Sequence, residues 1–166
     1  MPQATPWLSG RFGLMHHAIS ERNCACKPTN ILQPKKRNEM KTIIQTELAP
    51  PAIGPYSQGM AFENLIFTSG QLPLEATTMA LVEGGIKAQA RMSLENLKTV
   101  LEQGGGSLDT VIKTTCFLSS MENFVAFNEV YTEIFGTENA PARSCVETSG
   151  LPKEALVEVE AIAYIE

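Results

Sequence analysis

Residues 157–165 read VEVEAIAYI, and alternation sustained over nine residues leaves such a segment few ways to fold. A period of two puts Val157, Val159, Ala161, Ala163 and Ile165 on one side, and Glu158, Glu160, Ile162 and Tyr164 on the other. The first side suits a covered core. The second mixes carboxylates with large apolar groups, which is odd for a face lying wholly in water and natural for an interface that holds a polar pocket. The segment predicts a strand in a sheet with one face covered.

The rest of the chain supplies the cover. Ile86, Ala90, Leu94, Leu97 and Leu101 recur at steps of three and four, and Gly104-Gly105-Gly106 stops the run, which predicts a helix. A second helix is predicted over 121–135, with Met121, Phe124, Asn128, Tyr131 and Phe135 along one side and Gly136 as its stop. Strands are predicted over 41–46, 57–62, 65–69, 110–118, 142–148 and 156–165, with Glu63-Asn64 turning a hairpin and an irregular loop over 70–84. The order β-β-β-α-β-α-β-β suits an α+β layer: one mixed or antiparallel sheet with two helices on one face. Two helices leave the other face to solvent or to another subunit.

Charge divides the chain at about residue 40. Residues 1–39 carry six Lys/Arg and two Asp/Glu; residues 40–166 carry seven and sixteen. Four prolines break up the first segment, and no apolar run there is long enough for a secretory signal. The expectation is a disordered or non-native leader over 1–39, with organellar targeting as the alternative, and a single domain over 40–166. No apolar run reaches the ~20 residues of a membrane-spanning helix. The acidic balance argues against nucleic acid as a partner. Both histidines, His16 and His17, lie in the leader. The body therefore holds no Ser-His-Asp or Cys-His site and no histidine metal site. Cys24 and Cys26 are spaced C-x-C with no second pair at zinc spacing, so a zinc site is not expected. Four cysteines without a signal peptide fit reduced thiols in the cytoplasm.

Candidate chemistry gathers in few places. On the strand at 142–148, Arg143, Cys145 and Glu147 face one way and Ala142, Ser144, Val146 and Thr148 the other. If Arg143 shared a sheet face with Glu158, a cation, a thiol and a carboxylate would converge. The guanidinium fork would suit a substrate carboxylate, and the acid would orient or deprotonate a water. An ordinary Arg–Glu pair between neighbouring strands fits the pattern equally well. Cys145 has no histidine to activate it, and a free cysteine is often a small buried hydrophobe. Tyr56 either points into a cleft or packs in its loop. Ser69 and Gly70 form a routine turn or a close approach to a ligand.

Five stretches together carry a resemblance: AIGPYSQG at 52–59, FTSGQ at 67–71, KTT at 113–115, PARSCVE at 141–147, and LPK at 151–153 leading into VEVEAIA at 157–163. Over residues 40–166 the chain resembles the Rid (YjgF) family of reactive-intermediate deaminases. The resemblance implies a chorismate-mutase-like layer assembled as a homotrimer, with clefts between subunits on the sheet face away from the helices. It implies hydrolysis of 2-imino acids such as 2-iminobutanoate and 2-iminopropanoate, or their enamine tautomers, to 2-keto acids and ammonia, without metal or organic cofactor. By position, Arg143 matches the residue that grips the substrate carboxylate and Glu158 the acid that activates water. Tyr56, Ser69 and Gly70 match cleft residues, Cys145 the cleft cysteine, and Asn128 an asparagine lining the pocket from another subunit. Gly150 and the loop over 75–80 depart from the usual family pattern and bear on substrate preference. The alternative is a trimer that binds ligands or unfolded chains, or that affects translation by cleaving RNA, with deamination incidental.

Overall fold

The computed structural model describes residues 41–166; the expected leader over 1–39 lies outside the described residues. Six strands and two helices follow one another as β1 Thr42–Ile44, β2 Gly59–Phe62, β3 Leu65–Thr68, α1 Gly85–Gln103, β4 Val111–Leu118, α2 Phe124–Phe135, β5 Ala142–Glu147 and β6 Val157–Tyr164. One sheet holds all six strands in the order β1-β2-β3-β6-β4-β5. Only β4 and β5 run parallel, joined through α2; every other neighbouring pair is antiparallel. The sheet is thus mixed, and the class is α+β.

β6 lies at the centre because it is built for burial. Val157, Val159, Ala161 and Ala163 are all buried, and they meet Leu94, Leu97 and Leu101 of α1 and Phe127 and Val130 of α2 in one core cluster. Both helices therefore cover the same sheet face. Gly104 ends α1 as its C-cap, and Gly105 continues with φ +84°, a conformation natural to glycine.

The first two strands are shorter than their patterns predict, and Gln58 is the reason for the first. Its side chain accepts from Thr46 N at 2.7 Å and donates to Thr46 O at 3.0 Å, Ala49 O at 3.1 Å and Pro50 O at 2.8 Å. Backbone groups that would extend β1 are taken by this buried amide. The buried side of α2 also differs from expectation. It is centred on Phe127, Val130 and Tyr131, while Met121 sits exposed in a preceding 3₁₀ turn. Asn128 is only half-buried at the edge of that side, so its amide is only partly desolvated.

The uncovered face carries Ile43, Phe62, Phe67, Val146 and Tyr164, between 41% and 62% exposed, with Ile162, Phe117, Glu158 and Glu160 among them. Register assembles the set: Phe67 lies opposite Ile162 and Met60, and Glu158 opposite Phe117. Among the described residues no helix is long and apolar enough to cross a membrane.

Candidate functional site

Glu158 is the second residue of β6, and the alternation puts its carboxylate on the uncovered face. It is half-buried, and burial, with the charge of Glu160 adding to it, pushes its pKa above the usual carboxylate value. Gly70 follows β3 and lies directly against it: a Cβ there would come within 1.9 Å of Glu158 Oε1. The backbone beside Gly70 is fixed by Gln71, whose N–H donates to Val159 O at 2.8 Å and whose carbonyl accepts from Val159 N at 3.2 Å. Ser69 Oγ donates to Ser57 O at 2.6 Å, which ties the loop carrying Tyr56 to the end of β3. Tyr56 is exposed; its hydroxyl accepts from Ile53 N at 3.2 Å, and it shares a cleft with Ile53, Gly70, Leu72 and Met79. Glu158, Gly70, Ser69 and Tyr56 thus form one group.

Arg143, Cys145 and Asn128 form another. Arg143 on β5 pairs with Thr114 of β4, and Thr114 pairs with Ala161 of β6. Laterally paired residues point to the same side, so Arg143 lies on the helix-covered side with Ala161 and opposite in sense to Glu158. Its guanidinium stands 4.5 Å from the ring centre of Tyr131 and 5.7 Å from that of Phe124. Together with Asn128, Tyr131, Thr132 and Pro141 it lines an open hollow of about 220 Å³. Cys145 pairs with Cys116 and packs against the core from the same side. Burial pushes its thiol upward, with Arg143 acting the other way, and burial pushes Cys116 up to about 12. Both thiols are therefore protonated near neutral pH, which disfavours either as a nucleophile.

Two expectations are corrected here. Arg143 and Cys145 do not converge with Glu158 within one chain, because they occupy opposite faces of the sheet. An Arg–Glu pair between neighbouring strands is excluded as well, since β4 separates β5 from β6. The face away from the helices holds Glu158 but not the Arg143 side chain.

Several residues that serve these groups escape a reading by pattern. Ser93 Oγ donates to Gln71 O at 2.6 Å, and Asn96 Nδ2 donates to Leu72 O and Leu74 O at 2.9 Å each. Gln89 accepts from Leu156 N at 2.8 Å, just before β6. All three are polar residues on the buried side of α1, and that misfit with the apolar stripe is the signal they leave in the sequence. Tyr131 is visible in the α2 stripe but not its role beneath Arg143. Among the described residues no group of three His, Cys, Asp or Glu side chains has the geometry of a metal site.

Comparison with known proteins adds the lineage. The profile of a family described as endoribonuclease L-PSP matches residues 46–165. A RutC family protein of Pyrococcus horikoshii is 52% identical over 127 residues, covering 76% of this chain and all of the relative. The 2-iminobutanoate/2-iminopropanoate deaminase of Escherichia coli K12 is 45% identical over 126 residues, 75% of this chain and 98% of that one. Among solved structures, E. coli TdcF with bound serine superposes with a TM-score of 0.70 at 42% identity, covering 75% of this chain and 99% of its own.

Proposed function

The chain belongs to the Rid (YjgF) family, whose profile spans most of its length, and on that footing we propose that it hydrolyses 2-imino acids to 2-keto acids and ammonia in a site shared by two copies. The observation that carries the reading is the placement of the arginine group and the glutamate group on opposite faces of one sheet. A substrate that needs both a carboxylate clamp and a water-activating acid can meet them together only where one copy's Arg143 faces another copy's Glu158. The uncovered apolar face beside Glu158 offers a surface on which such copies assemble, and a homotrimer is the assembly proposed. A relative with bound serine, itself a small molecule with a carboxylate next to a nitrogen-bearing carbon, supports a ligand of this class.

In the shared site Arg143 holds the substrate carboxylate, with Asn128 beside it. The iminium carbon is already electrophilic, so the protein's task is orientation more than activation. Glu158 accepts a proton as water adds to that carbon and forms a carbinolamine. It then returns the proton to the nitrogen; as the C–N bond breaks, the hydroxyl gives up its own proton to Glu158 and becomes the carbonyl, ammonia leaves and the keto acid remains. A carboxyl held above its ordinary pKa is better matched to both transfers than a fully solvated one. RNA is a poorer substrate for this chain, because residues 40–166 carry seven Lys/Arg against sixteen Asp/Glu.

The test couples the protein to a threonine dehydratase that generates 2-iminobutanoate, in buffer without competing amines. Wild type accelerates keto-acid release, while Arg143→Ala and Glu158→Gln each lower the acceleration by about 10²-fold or more. Refolding the two inactive variants together restores about a quarter of wild-type activity, as random assembly of complementary halves requires. No recovery, with mixed assemblies demonstrated, would refute the shared site. No acceleration by folded, assembled wild type would refute the deaminase reading and leave ligand binding or a holdase role.

A further inference from the structure

Arg143 has no carboxylate partner among the described residues; the three ion pairs found there join Lys87 to Glu129, Arg91 to Glu133 and Lys98 to Glu102. What holds it is aromatic. The Tyr131 ring lies 4.5 Å beneath the guanidinium and Phe124 flanks it at 5.7 Å, both within the range of cation–π attraction. A carboxylate partner would occupy the guanidinium's donor fork. A ring face holds the cation and leaves all five N–H donors for a ligand.

The Tyr131 ring is itself fixed on three sides. Phe135 lies 4.6 Å away and Phe127 5.7 Å away, centre to centre. The phenol oxygen lies 2.7 Å from Thr114 Oγ1 in a fully buried hydrogen bond. Thr114 is also the residue paired with Arg143 across the β4–β5 ladder. One rung of the sheet therefore anchors both the arginine backbone and the platform under its side chain. An unsupported arginine must surrender rotamer freedom to bind a ligand; one already held has less to lose.

We propose that Tyr131, braced by Thr114 and assisted by Phe124, is the positioning residue of the Arg143 clamp: it orients the guanidinium without using its donors and so sets affinity for a carboxylate ligand. The inference rests on the proposed function for the identity of that ligand.

The experiment measures binding of 2-oxobutanoate and of its uncharged amide to the assembled protein by calorimetry, beside KM and kcat in the coupled assay. Tyr131→Leu weakens 2-oxobutanoate by about tenfold, the upper part of the cation–π range, and raises KM similarly with kcat within about twofold. Binding of the amide changes little. Tyr131→Phe keeps the ring and stays within about threefold of wild type, which separates loss of the platform from loss of the hydroxyl. Equal loss for acid and amide, a fall in kcat at constant KM, or wild-type binding by Tyr131→Leu each overturns the inference. Should Tyr131→Leu fail to assemble, Phe124→Leu decides instead: a loss of about threefold confined to the acid supports the platform, and none overturns it. If wild type binds the keto acid but does not deaminate, the proposed function fails while the binding ratios still decide the role of Tyr131. If Arg143→Ala binds the keto acid as wild type does, both readings fall.

Discussion

Glu158 concentrates the residue-scale consequences. Burial, more than Glu160, raises its pKa, so the folded state holds this proton more tightly than the unfolded chain does. The group's stability contribution is then fully present below the unfolded pKa and is lost as pH rises through the folded one. Glu158→Gln, which cannot ionise, is expected to melt higher than wild type at pH 7, and the advantage should vanish below about pH 4.5. Differential scanning calorimetry at the two pH values checks this; a variant less stable at pH 7 would contradict it. Activity runs the other way: kcat/KM should fall as pH drops through the raised pKa, because the proposed proton acceptor is then filled. Six of the seven residues of the two groups are legible as motifs, in AIGPYSQG, FTSGQ, PARSCVE and the VEVEAIA strand; Asn128 alone lies in none of these stretches. The separation of the two groups is not legible. Alternation tells which residues of one strand share a side, but only the pairing of Arg143 with Thr114 and of Thr114 with Ala161 relates β5 to β6.

At the scale of elements, every strand and both helices follow from period and punctuation, and the departures come from side chains that compete for backbone. Gln58 shortens β1. Met121 belongs to a separate turn, so α2 begins at Phe124 and turns Phe127 and Val130 inward, off the stripe that the spacing predicts. The loop between β3 and α1 looks irregular in sequence, yet Ser93 and Asn96 hold it to the helix. Asn96→Ala leaves two carbonyls without their side-chain donor and should cost about 1–3 kcal/mol in urea unfolding. Because Gln71 and Leu72 adjoin Gly70, the coupled assay should show a lower kcat from the same variant. Unchanged stability would mean that Asn96 adds nothing to the hold of Ser93 and the backbone.

On the scale of the whole molecule, the strand order is the feature least visible in the chain. β6 is last in sequence yet inserts between β3 and β4, a choice made by its capacity to be buried on the helix side and half-covered on the other. The same sheet leaves Phe67 and Ile162 side by side on the uncovered face. Phe67→Glu sets a charge there that assembly would have to desolvate, at a cost of several kcal/mol. Light scattering should report a smaller species, circular dichroism an intact fold, and the coupled assay a loss of turnover. An assembly that survives the charge would place the contact between copies elsewhere.

Were the two groups on opposite sides of the sheet to act as halves of one site, as proposed, they would also fix the kind of symmetry that can use them. A two-fold contact presents the same patch of each copy to the other, so it cannot pair two groups that no single patch contains. Head-to-tail contact can, and it terminates only by closing into a ring. Turnover per chain would then rise with protein concentration at high dilution, and a newly made chain would stay silent until it found its neighbours.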